Sequence, residues 1–148
     1  MSDYRTILFA TDFSESSDHA FEHAFALTRK FSARLLMLHV INEPVDLRGF
    51  YVPHISFDKL EEEIEAGAHK MMEHFCATHI KDYANVETFI VPGIPYDEII
   101  RKAIETDSDL IVIGTHGRTG IDHMLFGSTA EKVVRKSTIP VLTIRTGD

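Results

Sequence analysis

The chain has 148 residues, 44% hydrophobic and 26% charged, with a formal net charge of −8. That balance suits one folded domain (1–148) with a real core and excludes a disordered chain. The negative charge argues against non-specific nucleic-acid binding and an anionic membrane surface, and the single cysteine, Cys76, excludes an internal disulfide.

TILFA (Thr6–Ala10) is a nearly unbroken apolar run, as expected of a strand covered on both faces. After it, Ser14 can cap a helix reaching about Phe31, with Glu15 and Asp18 in its first turn and Arg29 and Lys30 in its last. The spacing predicts an inward stripe of Ala20, Ala24, Leu27 and Phe31. RLLMLHV (Arg34–Val40) is the second run. The connection from Asn42 to Ser56 is long, and two readings of it stay open: a surface insertion packed by its own Phe50 and Tyr51, or a lid or partner surface.

A second helix is expected from about Phe57 to Ile80, with Leu60, Ile64, Met71 and Phe75 on one face and Glu61–Glu63 as a solvated first turn. VETFIV (Val86–Val91) carries Glu87 and Thr88, which suits an edge strand. Pro95 suits the first position of a third helix, followed by Asp97 and Glu98. DLIVIG (Asp109–Gly114) reads as a central strand. A glycine-punctuated loop follows, GTHGRTGIDHMLFGST (Gly114–Thr129). The last helix begins at Ser128, where Ser128 and Glu131 have the spacing of a capping box, and it finishes on Arg135 and Lys136. PVLTIR (Pro140–Arg145), ending in Thr143 and Arg145, suits the other edge. Strands alternating with helices in this way predict a doubly wound α/β fold with a five-stranded parallel sheet.

Ligands of such sheets bind beyond the carboxyl ends of the strands. Ala10, Thr11 and Asp12 should open there, as should the loop after Gly114. Gly114, Gly117 and Gly120 let backbone amides approach a ligand closely. Gly127 and Ser128 sit where a helix N-terminus favours an anion. Phosphate is the obvious one, with Arg118 and the hydroxyls of Ser128 and Thr129 as added donors.

The spacing Gly-x2-Gly-x9-Gly-Ser is neither a Walker A motif nor a dinucleotide fingerprint. Together with ATDFSES, LHV, GTHGRTG, GST and IPVLTIR, it makes the chain resemble the universal stress protein family in its ATP-binding branch, over essentially its whole length. The resemblance implies a flavodoxin-like, adenine nucleotide alpha hydrolase-like layout with strand order 3-2-1-4-5. It also implies a loop wrapped around the triphosphate of ATP (with a Mg or Mn ion, or AMP or ADP in its place) and a homodimer. Asp12 would then lie at the ribose and adenine side and Val40 would meet adenine. Gly114, Gly117, Gly127, Ser128 and Thr129 would contact ribose and phosphates, joined by Arg118.

The implied function is that of a nucleotide-dependent regulatory or stress-response protein with an unidentified protein partner. The alternative is a slow ATPase or phosphotransferase, for which the loop offers only Asp122 as an acid, His116 as a candidate to orient water, and no Walker lysine. A phosphoacceptor receiver domain needs an acidic pair after strand one, and a flavin carrier needs a phosphate loop there; ATDFSE supplies neither. His19 and His23 share a helix face without an acidic partner at metal-site spacing and read as solvated. Cys76 has no basic neighbour to lower its pKa. MSDYRTILFA has no signal-peptide pattern and no run reaches membrane-spanning length, so the cytoplasm is the expected compartment. The last strand, Pro140 to Arg145, ends near the C-terminus and is the expected seam of the homodimer.

Overall fold

Five parallel strands alternate with four helices through residues 3–42, 57–115 and 127–145, which the computed structural model describes. In chain order these are β1 (Thr6–Ala10), α1 (Glu15–Phe31), β2 (Arg34–Ile41), α2 (Phe57–His79), β3 (Val86–Pro92), α3 (Pro95–Glu105), β4 (Leu110–Gly114), α4 (Ser128–Lys136) and β5 (Val141–Ile144). The sheet order is β3-β2-β1-β4-β5. Ala10 stands opposite Leu38 on one side and Ile113 on the other, Val40 opposite Val91, and Gly114 opposite Ile144. The carboxyl ends of all five strands therefore emerge along one rim.

Side chains alternate across a strand, so the sheet has two cores. Ile7, Phe9, Leu35, Met37 and Val112 pack under α1 and α2, against Ala20, Phe21, Ala24, Met72 and Phe75. Leu8, Leu36, Leu38, Ile111 and Ile113 pack under α3 and α4, against Ile99, Ala103, Ala130 and Val133. The three inner strands need apolar residues at both parities. The edge strands do not: Arg34 of β2 reaches Glu87 of β3 in an exposed ion pair, and β5 is half-buried throughout.

Two local expectations are corrected, and the inward face of α1 is broader than expected: Ser17, Ala20, Phe21, Ala24 and Thr28 are buried, while Leu27 and Phe31 are half-buried and pack against the same core. Thr28 can lie in the core because its Oγ1 donates to the Ala24 carbonyl at 2.7 Å, and the Phe21 ring stands edge-on to Phe9 and Phe75 at 5.3 and 5.2 Å. On α2 the face beneath the sheet is Ala68, Met72 and Phe75, whereas Met71 is 44% exposed. The capping box at Ser128 does not form. Gly127 is the cap, its carbonyl accepting from the Glu131 N–H at 3.0 Å, and the Glu131 carboxylate pairs with Arg135 one turn on. Ser14 does cap α1, accepting from the Ser17 N–H at 3.2 Å, and Pro95 opens α3. Among the described residues no helix is long and apolar enough to cross a membrane.

Candidate functional site

The turn after β1 is held from several directions. The Thr11 N–H donates to the Leu38 carbonyl at 2.9 Å, carrying the β1–β2 ladder one residue past the strand. Thr11 Oγ1 accepts from the Phe13 N–H at 2.9 Å and from the buried Ser17 hydroxyl at 2.6 Å. Next along, Asp12 Oδ1 accepts from the Ser14 N–H at 3.0 Å, which fixes one carboxylate oxygen in a local turn. The Asp12 side chain is half-buried on the rim while Ser14 carries the helix cap.

The end of β4 is pressed against the start of α1. A Cβ on Gly114 would stand 3.0 Å from the Ser16 hydroxyl and 3.2 Å from the Ser16 carbonyl, so any other residue here would require α1 or the end of β4 to give by a few tenths of an ångström. Thr115 then donates its N–H to the Ile144 carbonyl at 3.0 Å, while its own carbonyl accepts from the Gly127 N–H. The chain therefore leaves the sheet at Thr115 and returns to the same point at Gly127, directly before α4. Gly127, as the N-cap residue, offers no side chain to cap α4, and among the described residues none does so. Its first N–H groups and its positive dipole end lie next to the rim, beside the exposed Ser128 and the half-buried Thr129.

Of the expected site residues, Ala10, Thr11, Asp12, Val40, Gly114, Gly127, Ser128 and Thr129 lie on this rim. Val40 packs its side chain on the α3–α4 face, with Phe89, Val91 and Tyr96 around the same core. Gly117 and Arg118 lie outside the described residues, as do Gly120, His116, Asp122 and the connection after Asn42. Among the described residues no three His, Cys, Asp or Glu side chains gather as a metal site. His19 sits beside Glu22 and His23 on the outer face of α1. Burial pushes the Cys76 thiol up, away from its reactive thiolate form.

One rim residue was not singled out from the sequence. His39, in the penultimate inward position of β2, is 8% exposed, and its Nδ1 lies 2.8 Å from the Thr11 carbonyl. The available signal was a lone polar residue inside the otherwise apolar run LLMLHVI that follows Arg34.

A doubly wound parallel sheet of this order, with helices on both faces, defines the class of α/β proteins whose ligand sites lie at the carboxyl rim. The model of the universal stress protein family matches residues 3–145, and the chain belongs to that family. Universal stress protein MJ0577 of Methanocaldococcus jannaschii is 32% identical, covering 96% of this chain and 95% of its own length. The solved MJ0577 structure aligns with a TM-score of 0.86 over 99% of both chains. Universal stress protein YxiE of Bacillus subtilis is 33% identical over 96% of this chain and 99% of its own. A universal stress protein solved in complex with cAMP, 25% identical, aligns with a TM-score of 0.68 over 99% of this chain and 100% of its own.

Proposed function

We propose that this chain is a single-domain, cytoplasmic universal stress protein that binds ATP at the carboxyl rim and acts as a nucleotide-dependent regulatory or stress-response protein. The observation that carries the reading is the uncapped N-terminus of α4, tied through Gly127 to the end of β4. A helix end without a side-chain cap leaves its first N–H groups to a ligand, and the dipole there favours an anion. Ser128 and Thr129 add hydroxyl donors, and Gly117 and Arg118 belong to the same motif in sequence. At the other end of the rim, Asp12 offers a carboxylate oxygen to a ribose hydroxyl or an adenine amino group, and Val40 offers backbone and apolar surface to the base. A cAMP complex in a relative of this fold supports an adenine nucleotide as the ligand class. AMP or ADP would use the same adenosine contacts, and a Mg or Mn ion would accompany the triphosphate.

The chain is also proposed to form a homodimer through β5. That strand is a sheet edge, and a two-fold axis would pair it with its own copy.

Calorimetry of wild type and Gly127→Val with ATP tests the site. Gly127 has φ −71° and ψ 158°, which valine adopts readily, so the apo fold should persist while the branched side chain crowds the phosphates. Equal ATP affinity in both proteins would put the phosphates elsewhere.

A further inference from the structure

We propose that His39 is a positioning residue for the nucleotide, holding from beneath the turn that carries Asp12; the proposal rests on the ATP-binding reading above. A carbonyl oxygen only accepts, so the 2.8 Å contact with Thr11 requires that His39 Nδ1 carry the proton and donate it. That bond orients the peptide plane joining Thr11 to Asp12. On the far side of Asp12, the Phe13 backbone has φ 65°, a left-handed conformation that a bulky residue keeps only where its surroundings hold it. The Phe13 ring lies against the His39 imidazole, with centroids 4.5 Å apart, and against Phe75 at 6.3 Å. Asp12 is thus bracketed by two contacts from one buried side chain, a hydrogen bond before it and a ring contact after it.

Thr11 has its other groups engaged already, the N–H with Leu38 and the hydroxyl with Phe13 and Ser17. Its carbonyl therefore draws on His39 for the orientation of the next residue. A leucine at this place would pack in the same layer without directing that carbonyl. His39 is 28 residues from Thr11 in sequence, so the contact exists only because β1 and β2 are neighbours.

The test is ATP calorimetry on wild type, His39→Leu and His39→Asn, each also combined with Asp12→Ala, beside melting of the apo proteins. His39→Leu should bind ATP about tenfold more weakly or worse, the scale of one misplaced charged hydrogen-bond partner. His39→Asn places an amide nitrogen at the same branch position as Nδ1 and should recover most of that loss. In the Asp12→Ala background, His39→Leu should cost little more, because its effect runs through Asp12. Three results would overturn the role: His39→Leu binding like wild type, asparagine no better than leucine, or an undiminished loss without Asp12. Should His39→Leu fail to fold, asparagine is compared with His39→Gln, whose amide lies one bond further out. Tighter binding by the asparagine variant supports positioning and equal binding refutes it. A wild type that does not bind ATP is a separate outcome, and it removes the nucleotide reading together with this inference.

Discussion

Replacing Gly114 with alanine probes the point where the sheet, α1 and the loop to α4 meet. Its φ lies outside the left-handed region, so the cost is steric rather than conformational. The new methyl would stand 3.0 Å from Ser16 Oγ, 3.2 Å from the Ser16 carbonyl oxygen and 3.5 Å from its carbon. The hydroxyl can rotate away, but the carbonyl belongs to the first turn of α1, and β4 is held on both sides by β1 and β5. Either α1 shifts by a few tenths of an ångström or the end of β4 does. Overpacking of this kind costs about 1–3 kcal/mol. For a chain of this size each kcal/mol lowers Tm by roughly 2–4 °C, so a fall of about 2–12 °C is expected in calorimetric melting. Ser16→Ala removes the nearest atom and leaves the carbonyl, so Gly114→Ala should cost less in that background than in wild type. On the ATP-binding proposal, ATP affinity should fall as well, since the shift moves the chain where it leaves the sheet toward the proposed phosphate site. Unchanged Tm and unchanged affinity for Gly114→Ala would refute the close approach as a constraint.

Asp12→Ala should weaken ATP binding by about 1–3 kcal/mol by calorimetry. Because its Oδ1 also accepts from Ser14, the apo protein should lose about 0.5–1.5 kcal/mol in denaturant unfolding. Asp109 Oδ2 accepts from the Arg5 and Thr6 N–H groups at 2.8 and 2.9 Å, so Asp109→Ala should cost about 1–2 kcal/mol by frayed entry into β1, without changing ATP affinity. For the dimer, Leu142 and Ile144 lean on the core beneath α1, so lysine there would confound folding with association. Thr143 is the better position. The carbonyls of Pro140 and Ile144 face β4, which turns the Thr143 N–H toward the edge away from β4, and Thr143→Pro removes that donor without touching the hydrogen bonds to β4. Light scattering should give a dimer for wild type and a monomer for Thr143→Pro, and a monomeric wild type would end the idea.

The strands were legible because of where they lie. β1, β2 and β4 are covered on both faces, so their apolar runs are nearly continuous, and each boundary read from sequence falls within a residue of the structure. β3 and β5 announced themselves as edges through Glu87, Thr88 and Thr143. Helix faces were harder, because polarity alone misjudges a side chain that satisfies itself. Thr28 returns its hydroxyl to Ala24 and counts as apolar, which widens the buried face of α1 beyond the expected stripe to include Ser17, Phe21 and Thr28. Between Met71 and Met72 the sequence holds no chemical difference. Only the packing against Phe75 and Ala68 chooses the second.

The two halves of the candidate site differ in the same way. Glycine spacing is a local property, and it marked Gly114 and Gly127 without any knowledge of neighbours. The turn at Asp12 is built from contacts across strands and across α1, by His39 and Ser17, and no spacing rule connects those residues to it. The capping box misled for a related reason: Ser128 and Glu131 have the right separation, but Glu131 turns to Arg135 and Gly127 takes the cap. A serine cap would have engaged one of the first N–H groups of α4 with its own hydroxyl. With glycine in that place, the cap residue has no side chain to engage those donors. Under the ATP-binding proposal, the prebuilt turn at Asp12 and the glycine-started end of α4 would divide the work of binding: the first would fix the orientation of the adenosine, and the second would answer the charge of the phosphates.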